Sequence, residues 1–408
     1  MTNSSSIEFN AFLRKNGKKG IRNIVVVAYL VECAHHVSRR IVEGSNDSET
    51  HLIGFPGCFP NEYASKMMCA VCTHPNVGGV LLLSLGCESM DREWLANEIS
   101  RSGRPVELLV IQENGGTRST VSAGIEKIKA IRKQADKCKR ATMQLNELVV
   151  GTICGGSDGT SGIAANPAVG RCFDTLVKAN ASCIFEETGE LIGCEEIMAK
   201  RAVTPDLGEE IKNCVAKAER YYRILGFGSF APGNADGGLS TLEEKSMGAY
   251  SKSGSSKISG LLKPGDIPPT GGLYLLDVVP DGEPRFGFPN ISDNAEIVEL
   301  IACGCHLILF TTGRGSVVGS AISPVIKICA NPETYARLSE DMDINAGKIL
   351  AGEATIDEVG VEIFNKLVSV AQGHPSVSEE LGHQEFILTY KAFEALGPSC
   401  LPLANIQG

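Results

Sequence analysis

Short runs of β-branched and aliphatic residues alternate with amphipathic stretches along the first third of the chain. The apolar runs predict buried strands at residues 24–30, 52–55, 80–85 and 108–112. The stretches between them predict helices at residues 34–42, 62–72, 91–100 and 119–139. Such alternation is typical of a parallel sheet covered by helices, because each parallel connection needs a crossover. We therefore predict an α/β fold.

The same alternation resumes near residue 148, after a basic segment at residues 133–140 that we interpret as a linker or a solvated face. Further strands are predicted at residues 148–153, 182–187, 273–279, 306–311 and 325–330, and helices at residues 206–224, 240–250 and 356–371. The Gly-, Ser- and Pro-rich stretch 226–271 is predicted to form loops around one helix. We thus predict two Rossmann-like parallel α/β units, residues 1–145 and 146–408, with a loop-rich shared active-site region.

Charge and hydropathy exclude several classes of function. The net charge of −10 and the pI near 5.4 argue against general binding of nucleic acids or anionic membranes, which requires a positive surface. The apolar run at residues 77–85 is far too short to span a bilayer, and the first ten residues contain no apolar segment of a secretory signal. We expect a cytoplasmic protein that binds neither nucleic acid nor membrane.

Four of the 15 cysteines follow predicted strands directly: Cys33, Cys58, Cys87 and Cys154. Because the carboxyl ends of parallel strands meet at one edge of a sheet, we expect these thiols to converge. Three or four converging thiolates suit an iron–sulfur cluster or another soft metal site, with His35 and His36 as alternative ligands. The alternative is that cysteine, a small residue, simply fits tight turns between a strand and a helix.

Residues 154–170 read CGGSDGTSGIAANPAVG and place glycines and small polar residues directly after a predicted strand. Backbone N–H groups in such a turn, before a helix, form a nest for an anionic ligand. The alternative is an ordinary strand-to-helix turn that is capped by Asn166, with Pro167 as the first helical residue. The run by itself leaves both interpretations open.

Other loops add polar groups, some of them at the same edge. Glu187 and Glu190 follow a strand, where one of them is a candidate general base, although a charged helix start fits equally well. A loop with Asn234 opens a helix that contains Lys245, and a loop with Arg314 offers a guanidinium suited to a carboxylate. No loop has the GxxxxGK[ST] spacing, and no GxGxxG follows the first strand, so nucleotide binding has no support.

Five segments together resemble motifs of the altronate/galactarate dehydratase family: KNGKKGIRN (15–23), CGGSDGTSGIAANPAVG (154–170), PGNADGGLSTLEEKSMG (232–248), TTGRGS (311–316) and MDINAGKIL (342–350). The resemblance extends from residue 15 to about residue 385 and covers the large catalytic portion of the family. It implies a hydro-lyase that removes the C2 proton and the C3 hydroxyl of a sugar-acid carboxylate and yields a 2-keto-3-deoxy acid. It also implies iron, as Fe²⁺ or an iron–sulfur cluster, and makes residues 146–408 the catalytic domain.

The strand-end positions and the resemblance together define three sets of candidate residues. The catalytic candidates are Lys245, Glu187 and His36, and the candidate metal ligands are Cys33, Cys58, Cys87 and Cys154. The candidates for substrate binding are Arg22, Asn23, Gly156, Ser157, Asp158, Asn166, Asn234, Thr312 and Arg314. Of these, the resemblance gives recognition of the substrate carboxylate to Arg314 and to the turn at residues 155–158.

Two other functions compete with dehydration. The sulfolactate sulfo-lyase large subunit is a related branch that eliminates sulfite, but Cys33, Cys58, Cys87 and Gly156 favour the dehydratase branch. The non-enzymatic alternative is a sugar-acid-binding protein with merely buried cysteines. Full-length dehydratases usually begin with a small antifreeze-like (SAF) domain that is not seen here, so we expect a separate small SAF-domain subunit as a partner, and a homo-oligomer.

Overall fold

The computed structural model describes residues 7–225, 232–281, 292–389 and 391. Its strands are β1 (Glu8–Leu13), β2 (Lys19–Gly20), β3 (Ile24–Tyr29), β4 (Thr50–Gly54), β5 (Val77–Ser84), β6 (Val106–Val110), β7 (Arg140–Gln144), β8 (Val149–Cys154), β9 (Ser182–Phe185), β10 (Ile258–Leu262), β11 (Gly272–Leu276), β12 (Leu307–Thr312), β13 (Val325–Cys329) and β14 (Ile344–Asn345). Its α-helices are α1 (His35–Ser45), α2 (Glu62–Cys72), α3 (Arg92–Arg101), α4 (Thr117–Ala135), α5 (Ala165–Lys178), α6 (Glu195–Ala199), α7 (Pro205–Leu225), α8 (Pro232–Asp236), α9 (Leu242–Ser251), α10 (Asp293–Ala302), α11 (Pro332–Arg337), α12 (Ile356–Ala371) and α13 (Val377–Glu380).

The first sheet has the strand order β4-β3-β5-β6, and all of its neighbouring strands are parallel. Helices α1 to α4 alternate with these strands along the chain. Strand β5 is buried along its whole length, as expected for a parallel strand that is covered on both faces. The predicted α/β alternation is therefore confirmed, and α2 has the predicted bounds.

The second sheet has the strand order β10-β11-β9-β8-β12-β13-β14 and is parallel throughout. Strand β10 lies in the stretch 226–271, which is predicted to form loops around one helix, so that prediction is wrong for residues 258–262. Ile258 and Leu262 are buried in this strand, while the Ser-Gly-Leu between them is half-buried, which is why the apolar signal is short. Residues 226–231 of the same stretch lie outside the described residues.

A small antiparallel sheet, β2-β1-β7, joins the start of the chain to the end of the first α/β unit. Glu8 pairs with Gln144, and the Arg140 guanidinium lies 3.3 Å from the centre of the Phe12 ring. The basic segment that was predicted as a linker therefore contains the end of α4 and runs into a strand.

One apolar cluster contains side chains from both parallel sheets. Ile24 and Val80 of the first sheet and Ile153 and Phe310 of the second belong to it, and each is 0–4% exposed. The two α/β units are thus packed into a shared core, while the division at residues 145 and 146 stays a prediction. Within the described residues, no helix is both long and apolar enough to cross a membrane.

Candidate active site

The glycine-rich run after β8 forms a turn that is hydrogen-bonded to two neighbouring loops. Gly156 adopts a left-handed conformation (φ +61°), and its carbonyl accepts the N–H groups of Gly313 at 3.1 Å and Arg314 at 2.8 Å. Gly159 donates its N–H to the carbonyl of Gly237 at 3.0 Å. Most backbone N–H groups of the turn have a hydrogen-bond acceptor, either in these loops or within the turn itself: those of Gly155, Asp158, Gly159, Thr160 and Ser161. The turn therefore fixes three loops together and leaves few N–H groups for an anion.

Asn166 lies inside the first turn of α5, which begins at Ala165 with Ala164 as its N-cap. The prediction that Asn166 caps this helix is therefore wrong. Its amide nitrogen instead donates to the carbonyl of Gly248 at 2.9 Å, which ties α5 to α9. The Oδ1 atom of Asn166 is buried and has no hydrogen-bond partner among the described residues. This oxygen is available to accept a hydrogen bond from a ligand hydroxyl.

Asp158 uses both carboxylate oxygens within the protein. Its Oδ1 accepts the N–H of Thr160 at 2.8 Å and the Thr160 hydroxyl at 2.5 Å, and its Oδ2 accepts the Asn331 amide at 3.0 Å. A Cβ atom at Gly313 would lie 2.0 Å from Oδ1, so only glycine allows this approach. The structure therefore places Asp158 as a support of the turn.

A buried cluster of acidic, thiol and ammonium groups lies at the carboxyl end of β8. The Nζ atom of Lys245 lies 3.2 Å from the Cys154 sulfur and 3.1 Å from the Ser157 hydroxyl, and it forms an ion pair with Glu190. The Cys154 thiol also lies 3.2 Å from Oε1 of Glu187. Strand β8 supplies Cys154, helix α9 supplies Lys245, and the segment after β9 supplies both glutamates. The sequence-predicted groups Lys245, Glu187, Ser157 and Cys154 are thus brought together.

Glu187 is held by a second lysine. Its Oε2 forms an ion pair with Lys252, and the two side chains are 3% and 1% exposed. The backbone of Glu187 is left-handed (φ +75°, ψ +48°), which is uncommon for a residue other than glycine, asparagine or aspartate. The Lys252 pair and the Cys154 contact thus hold a carboxylate in a conformation that costs energy. Lys252 lies seven positions after Lys245, so helical spacing was a signal for this missed residue.

Burial and neighbouring charges shift the pKa values of Lys245 and Asp293. Burial by itself lowers the pKa of Lys245, but Cys154 and Glu190 more than offset it, so that the pKa lies above its usual value and the group stays an ammonium. Burial, with a contribution from Glu190, raises the pKa of Asp293 to about 6. Asp293 begins α10, and a Cβ atom at Gly155 would lie 2.0 Å from its Oδ2. No sequence pattern pointed to Asp293, because it comes from a distant helix start.

A row of buried glutamates continues from Asp293 along α10. Glu296 and Glu299 follow at intervals of three residues, and Glu299 accepts the Tyr63 hydroxyl at 2.5 Å. Burial raises the pKa of Glu299, while an ion pair with Lys391 at 2.6 Å opposes that rise. Burial also raises the pKa of Glu296 well above its usual range. Burial therefore favours the protonated form of Glu296, whereas the Lys391 ammonium favours the carboxylate form of Glu299.

A cavity of about 380 Å³ opens beside this cluster. Ser157, Lys245, Asn166, Asp158 and Gly248 are among its lining residues, so three elements named above contribute to one wall. The volume suits a small polyhydroxylated molecule. Hydroxyl, ammonium and free amide oxygen are among the groups that such a molecule would meet, together with the Glu244 carboxylate.

Two further predicted loops meet at the edge of the site. Arg314 donates a hydrogen bond to the carbonyl of Gly233, and Thr312 Oγ1 accepts the N–H of Gly315 at 2.9 Å. Asn234 is 9% exposed in α8, and its carbonyl accepts the N–H of Leu239. The three loops at residues 155–161, 232–238 and 311–316 thus lie side by side.

Arg22 and Asn23 are placed elsewhere. The Arg22 guanidinium binds the Glu379 carboxylate through two hydrogen bonds, at 2.7 and 2.9 Å, and donates to two backbone carbonyls of the segment 370–374. Asn23 accepts a hydrogen bond from Arg14 at 2.7 Å and donates to the carbonyl of Ala135. Both side chains connect parts of the fold, and neither lines the 380 Å³ cavity.

The three cysteines of the first sheet are exposed at the carboxyl ends of neighbouring strands: Cys33, Cys58 and Cys87. Backbone hydrogen bonds connect their loops, from Glu32 N–H to the Pro56 carbonyl at 3.1 Å and from Ser89 N–H to the Cys58 carbonyl at 2.9 Å. His36 is exposed near the start of α1, three positions after Cys33. It does not belong to the buried cluster around Cys154 and Lys245.

Within the described parts of the chain, one set of three possible metal ligands has its atoms within 4.8 Å of one another: Cys154, Glu187 and Glu190. The three exposed cysteines do not form such a set. In the Cys154 set, however, Lys245 and Lys252 already balance the negative charges. A metal ion there would repel both ammonium groups.

Comparison with known proteins gives two family matches. Residues 145–393 match the family model described as D-galactarate/altronate dehydratase, C-terminal. Residues 11–136 match the model described as D-galactarate dehydratase/altronate hydrolase, second domain. Together these matches cover most of the chain.

Three curated relatives are similar over long segments. The (2R)-sulfolactate sulfo-lyase subunit beta of Chromohalobacter salexigens is 32% identical over 93% of this chain and 97% of its own length. The altronate dehydratase of Bacillus subtilis is 31% identical over 90% of this chain and 74% of its own length. The galactarate dehydratase (L-threo-forming) of Escherichia coli is 35% identical over 74% of this chain and 57% of its own length.

Proposed function

We propose that this chain, which belongs to the D-galactarate/altronate dehydratase family and is a carbon–oxygen lyase, removes water from a sugar-acid carboxylate of the altronate or galactarate type. The observation on which the proposal rests is the Lys245–Cys154–Ser157 cluster at the wall of a 380 Å³ cavity. The C2 proton of the substrate goes to a base, and the C3 hydroxyl leaves with its electron pair and one proton as water. The resulting enol tautomerises to a 2-keto-3-deoxy acid.

Lys245 stabilises the negative charge that develops on the substrate. Its raised pKa keeps it an ammonium, so it acts as a hydrogen-bond donor and a positive charge, and does not act as a base. The charge that forms when C2 loses its proton spreads onto the substrate carboxylate. An ammonium and the Ser157 hydroxyl, which lie 3.1 Å apart, are positioned to receive this carboxylate.

Asp293 is the proposed base. Glu187 and Glu190 are each engaged by a lysine, whereas Asp293 has no ion pair within the described residues. With a pKa of about 6 it is largely ionised at neutral pH and still accepts a proton readily. Once protonated, the same carboxyl group is an acid for the departing hydroxyl.

Asn166 is proposed to select for hydroxyl groups. Its free Oδ1 is buried, so a ligand without a donor at this point leaves the oxygen without a hydrogen bond. A sugar-acid hydroxyl fulfils this requirement. Arg314, Thr312 and Asn234 support the loops of this wall.

Iron is the cofactor that we propose for the three exposed cysteines. Cys33, Cys58 and Cys87 offer soft thiolate ligands on connected loops, whereas Cys154 already has an ammonium neighbour. Bound iron supplies a Lewis acid for hydroxyl or carboxylate oxygens. Because these three sulfur atoms do not lie as close together as ligands of one ion, a cluster is favoured over a single ion. Measurement of iron and acid-labile sulfide in anaerobically purified protein, before and after Cys87→Ala, tests this assignment.

Elimination of sulfite from a sulfolactate is the second candidate function. It is favoured by the similarity to the sulfo-lyase subunit beta, which covers nearly the whole length of that relative. The two reactions share removal of the C2 proton, and they differ in whether the C3–O or the C3–S bond breaks. The name of that relative also supports a partner, and we propose a small SAF-domain subunit for this chain.

A substrate panel distinguishes the two functions. D-altronate, D-galactarate and (2R)-sulfolactate are each incubated with iron-loaded protein, with and without a small SAF-domain subunit, and 2-keto acid and sulfite are measured separately. We expect 2-keto acid from a sugar acid, and much slower formation of it by the Lys245→Met variant. Sulfite as the main product would replace the dehydratase assignment with the sulfo-lyase one.

A further inference from the structure

A second cavity, of about 490 Å³, lies outside the candidate active site, between the loop after β1 and the ends of α3 and α4. Every charged residue that lines it is positive: Arg14, Lys15, Arg104, Lys137 and Lys139. Five cations around one cavity are unexpected in a chain with a net charge of −10. Such a concentration of one charge favours an anionic ligand.

The floor of this basic cavity consists of two buried arginines whose hydrogen-bond acceptors are all uncharged. Arg104 is 4% exposed and donates to the carbonyls of Val77 at 2.8 Å and His74 at 2.7 Å. Arg14 is 5% exposed and donates to the carbonyl of Pro75 at 2.7 Å. Neither guanidinium forms a salt bridge within the described residues.

Arg104 also has hydrogen-bond donors without an acceptor. A guanidinium has five N–H groups, and the acceptors of Arg104 occupy its Nε and Nη2 atoms while Nη1 has no partner among the described residues. Burial, with a contribution from the charge of Arg14, lowers the pKa of Arg104 to about 9. A positive group in this situation is stabilised by a bound anion.

The rim of the cavity consists of exposed lysines without acidic partners. Lys15, Lys137 and Lys139 form no salt bridge in the described parts of the chain. Earlier on α4, Lys127 and Lys129 are paired with Glu107 and Glu126. The unpaired lysines at the cavity thus differ from Lys127 and Lys129, although Lys133 of α4 also forms no ion pair within the described residues.

We propose that the basic cavity binds a phosphate monoester. A dianionic phosphate matches the free Nη1 donors of Arg104, the positive charge of Arg14 and the point charges of the lysines. The volume of 490 Å³ exceeds what a phosphate group alone fills, so the cavity accommodates an organic portion as well. No carboxylate lines the cavity, so it offers no carboxylate base and the ligand is bound without being converted.

Calorimetric titration with glycerol 3-phosphate and with inorganic phosphate tests the proposal. We expect saturable binding of both, tighter for the monoester, and an affinity that falls as salt is added. The Lys137→Gln/Lys139→Gln variant should bind the monoester at least tenfold more weakly. The matched control is Lys133→Gln/Lys178→Gln, which removes the same charge from exposed positions outside the cavity and should bind as the wild type does.

All four substituted lysines are exposed, so both variants are expected to fold, and a thermal melt verifies this. Absence of saturable binding of glycerol 3-phosphate at millimolar concentrations overturns the proposal. Equal weakening in the cavity variant and in the control also overturns it, because the effect would then reflect overall charge. Binding of inorganic phosphate alone overturns the assignment to a monoester.

Discussion

The Nζ atom of Lys245 lies 3.2 Å from the sulfur of Cys154, and this contact joins helix α9 to the end of strand β8. Both residues are nearly fully buried, at 3% exposure each. An ammonium in contact with a thiol and a carboxylate at the wall of a cavity is more than a packing device, because it offers a preorganised positive charge to a ligand. Several measurable consequences depend on this arrangement.

Lys245→Met is expected to lower kcat/KM by about 10²–10⁴, because the developing carboxylate charge loses its ammonium partner. Lys245→Arg keeps the charge and should lose less. Steady-state assays of the active substrate from the panel measure both effects. Lys200→Met, at an exposed position outside the cavity, is the control and should leave kcat/KM within twofold. Wild-type activity in folded Lys245→Met would remove Lys245 from the mechanism.

Removing one partner of the buried ion pair between Glu187 and Lys252 is expected to lower the stability of the fold strongly. Lys252→Met should lower the free energy of unfolding by about 3–5 kcal/mol, since it leaves a buried carboxylate unpaired. Adding Glu187→Gln should recover part of that loss in a double-mutant cycle measured by urea denaturation.

The exposed pair of Arg171 and Asp357 is the matched control for this cycle, with side chains 50% and 68% exposed. Removing either partner there should cost far less than breaking the buried pair, because water screens an exposed ion pair. Equal costs for the buried and the exposed pair would show that the Glu187 carboxylate is hydrated in solution.

Asp293 should determine the acidic limb of the pH–rate profile. Because its pKa is raised to about 6, the ionised base is lost as the pH falls through that value, and kcat/KM should fall about tenfold per pH unit below it. Asp293→Asn should lower activity by about 10²–10⁴ and abolish this limb. Glu296→Gln, one turn further along α10, serves as the comparison and should retain the limb. A profile of Asp293→Asn parallel to that of the wild type would exclude Asp293 as the base.

His306 should make stability depend on pH. Its Nδ1 accepts the N–H of Val149 at 3.0 Å and its Nε2 faces the carbonyl of Lys19 at 2.9 Å, so the folded protein requires the neutral ring. Burial lowers its pKa from 6.5 to about 4. The unfolded chain therefore binds the proton first, and folding stability falls as the pH drops from about 6.5 to about 4, by about 3 kcal/mol.

Urea denaturation at several pH values measures this effect against two variants. His306→Gln should be less stable than the wild type at pH 7.5 but lose less stability on acidification. His374→Gln, at an exposed position, should follow the wild type. If the wild type and His306→Gln lose the same free energy between pH 7 and pH 5, His306 does not contribute to the acid sensitivity.

A variant of Arg22 distinguishes a structural role of this residue from a role in substrate binding. Arg22→Gln removes two charged hydrogen bonds to Glu379 and should lower the free energy of unfolding by about 1.5–3 kcal/mol, with KM unchanged within twofold. Denaturation and steady-state kinetics on the same preparation give both values. A tenfold rise in KM at unchanged stability would instead support substrate binding by Arg22.

The sequence was informative where short-range periodicity dominates. Helices α2 and α12 have the predicted bounds, because an amphipathic repeat continues through each of them. Strands β7 and β10 were missed, because one is half-exposed and basic at its start and the other contains Ser and Gly. Edge and short strands depend on partners that local composition does not reveal.

The candidate site divides in the same way. Strand-end reasoning found Cys154 and Ser157, because both lie at the end of a parallel strand, and the glycine-rich loop that opens a helix pointed to Lys245. It did not find Asp293, which reaches the cluster from a helix start 139 positions after Cys154. Nor did it predict the ion pair between Arg22 and Glu379, because the two residues are 357 positions apart in the chain. Such pairs follow from the folded chain and not from any local pattern.

The pairing of β1 with β7 also has a consequence for the order in which the chain is completed. Glu8 and Gln144 lie opposite each other, so residues 14–139 form a loop that closes only when β7 is available. During synthesis, β1 has no partner strand on that side until residue 144 has left the ribosome, and closing so long a loop is slow. We therefore expect the first parallel sheet to form before β1 pairs with β7.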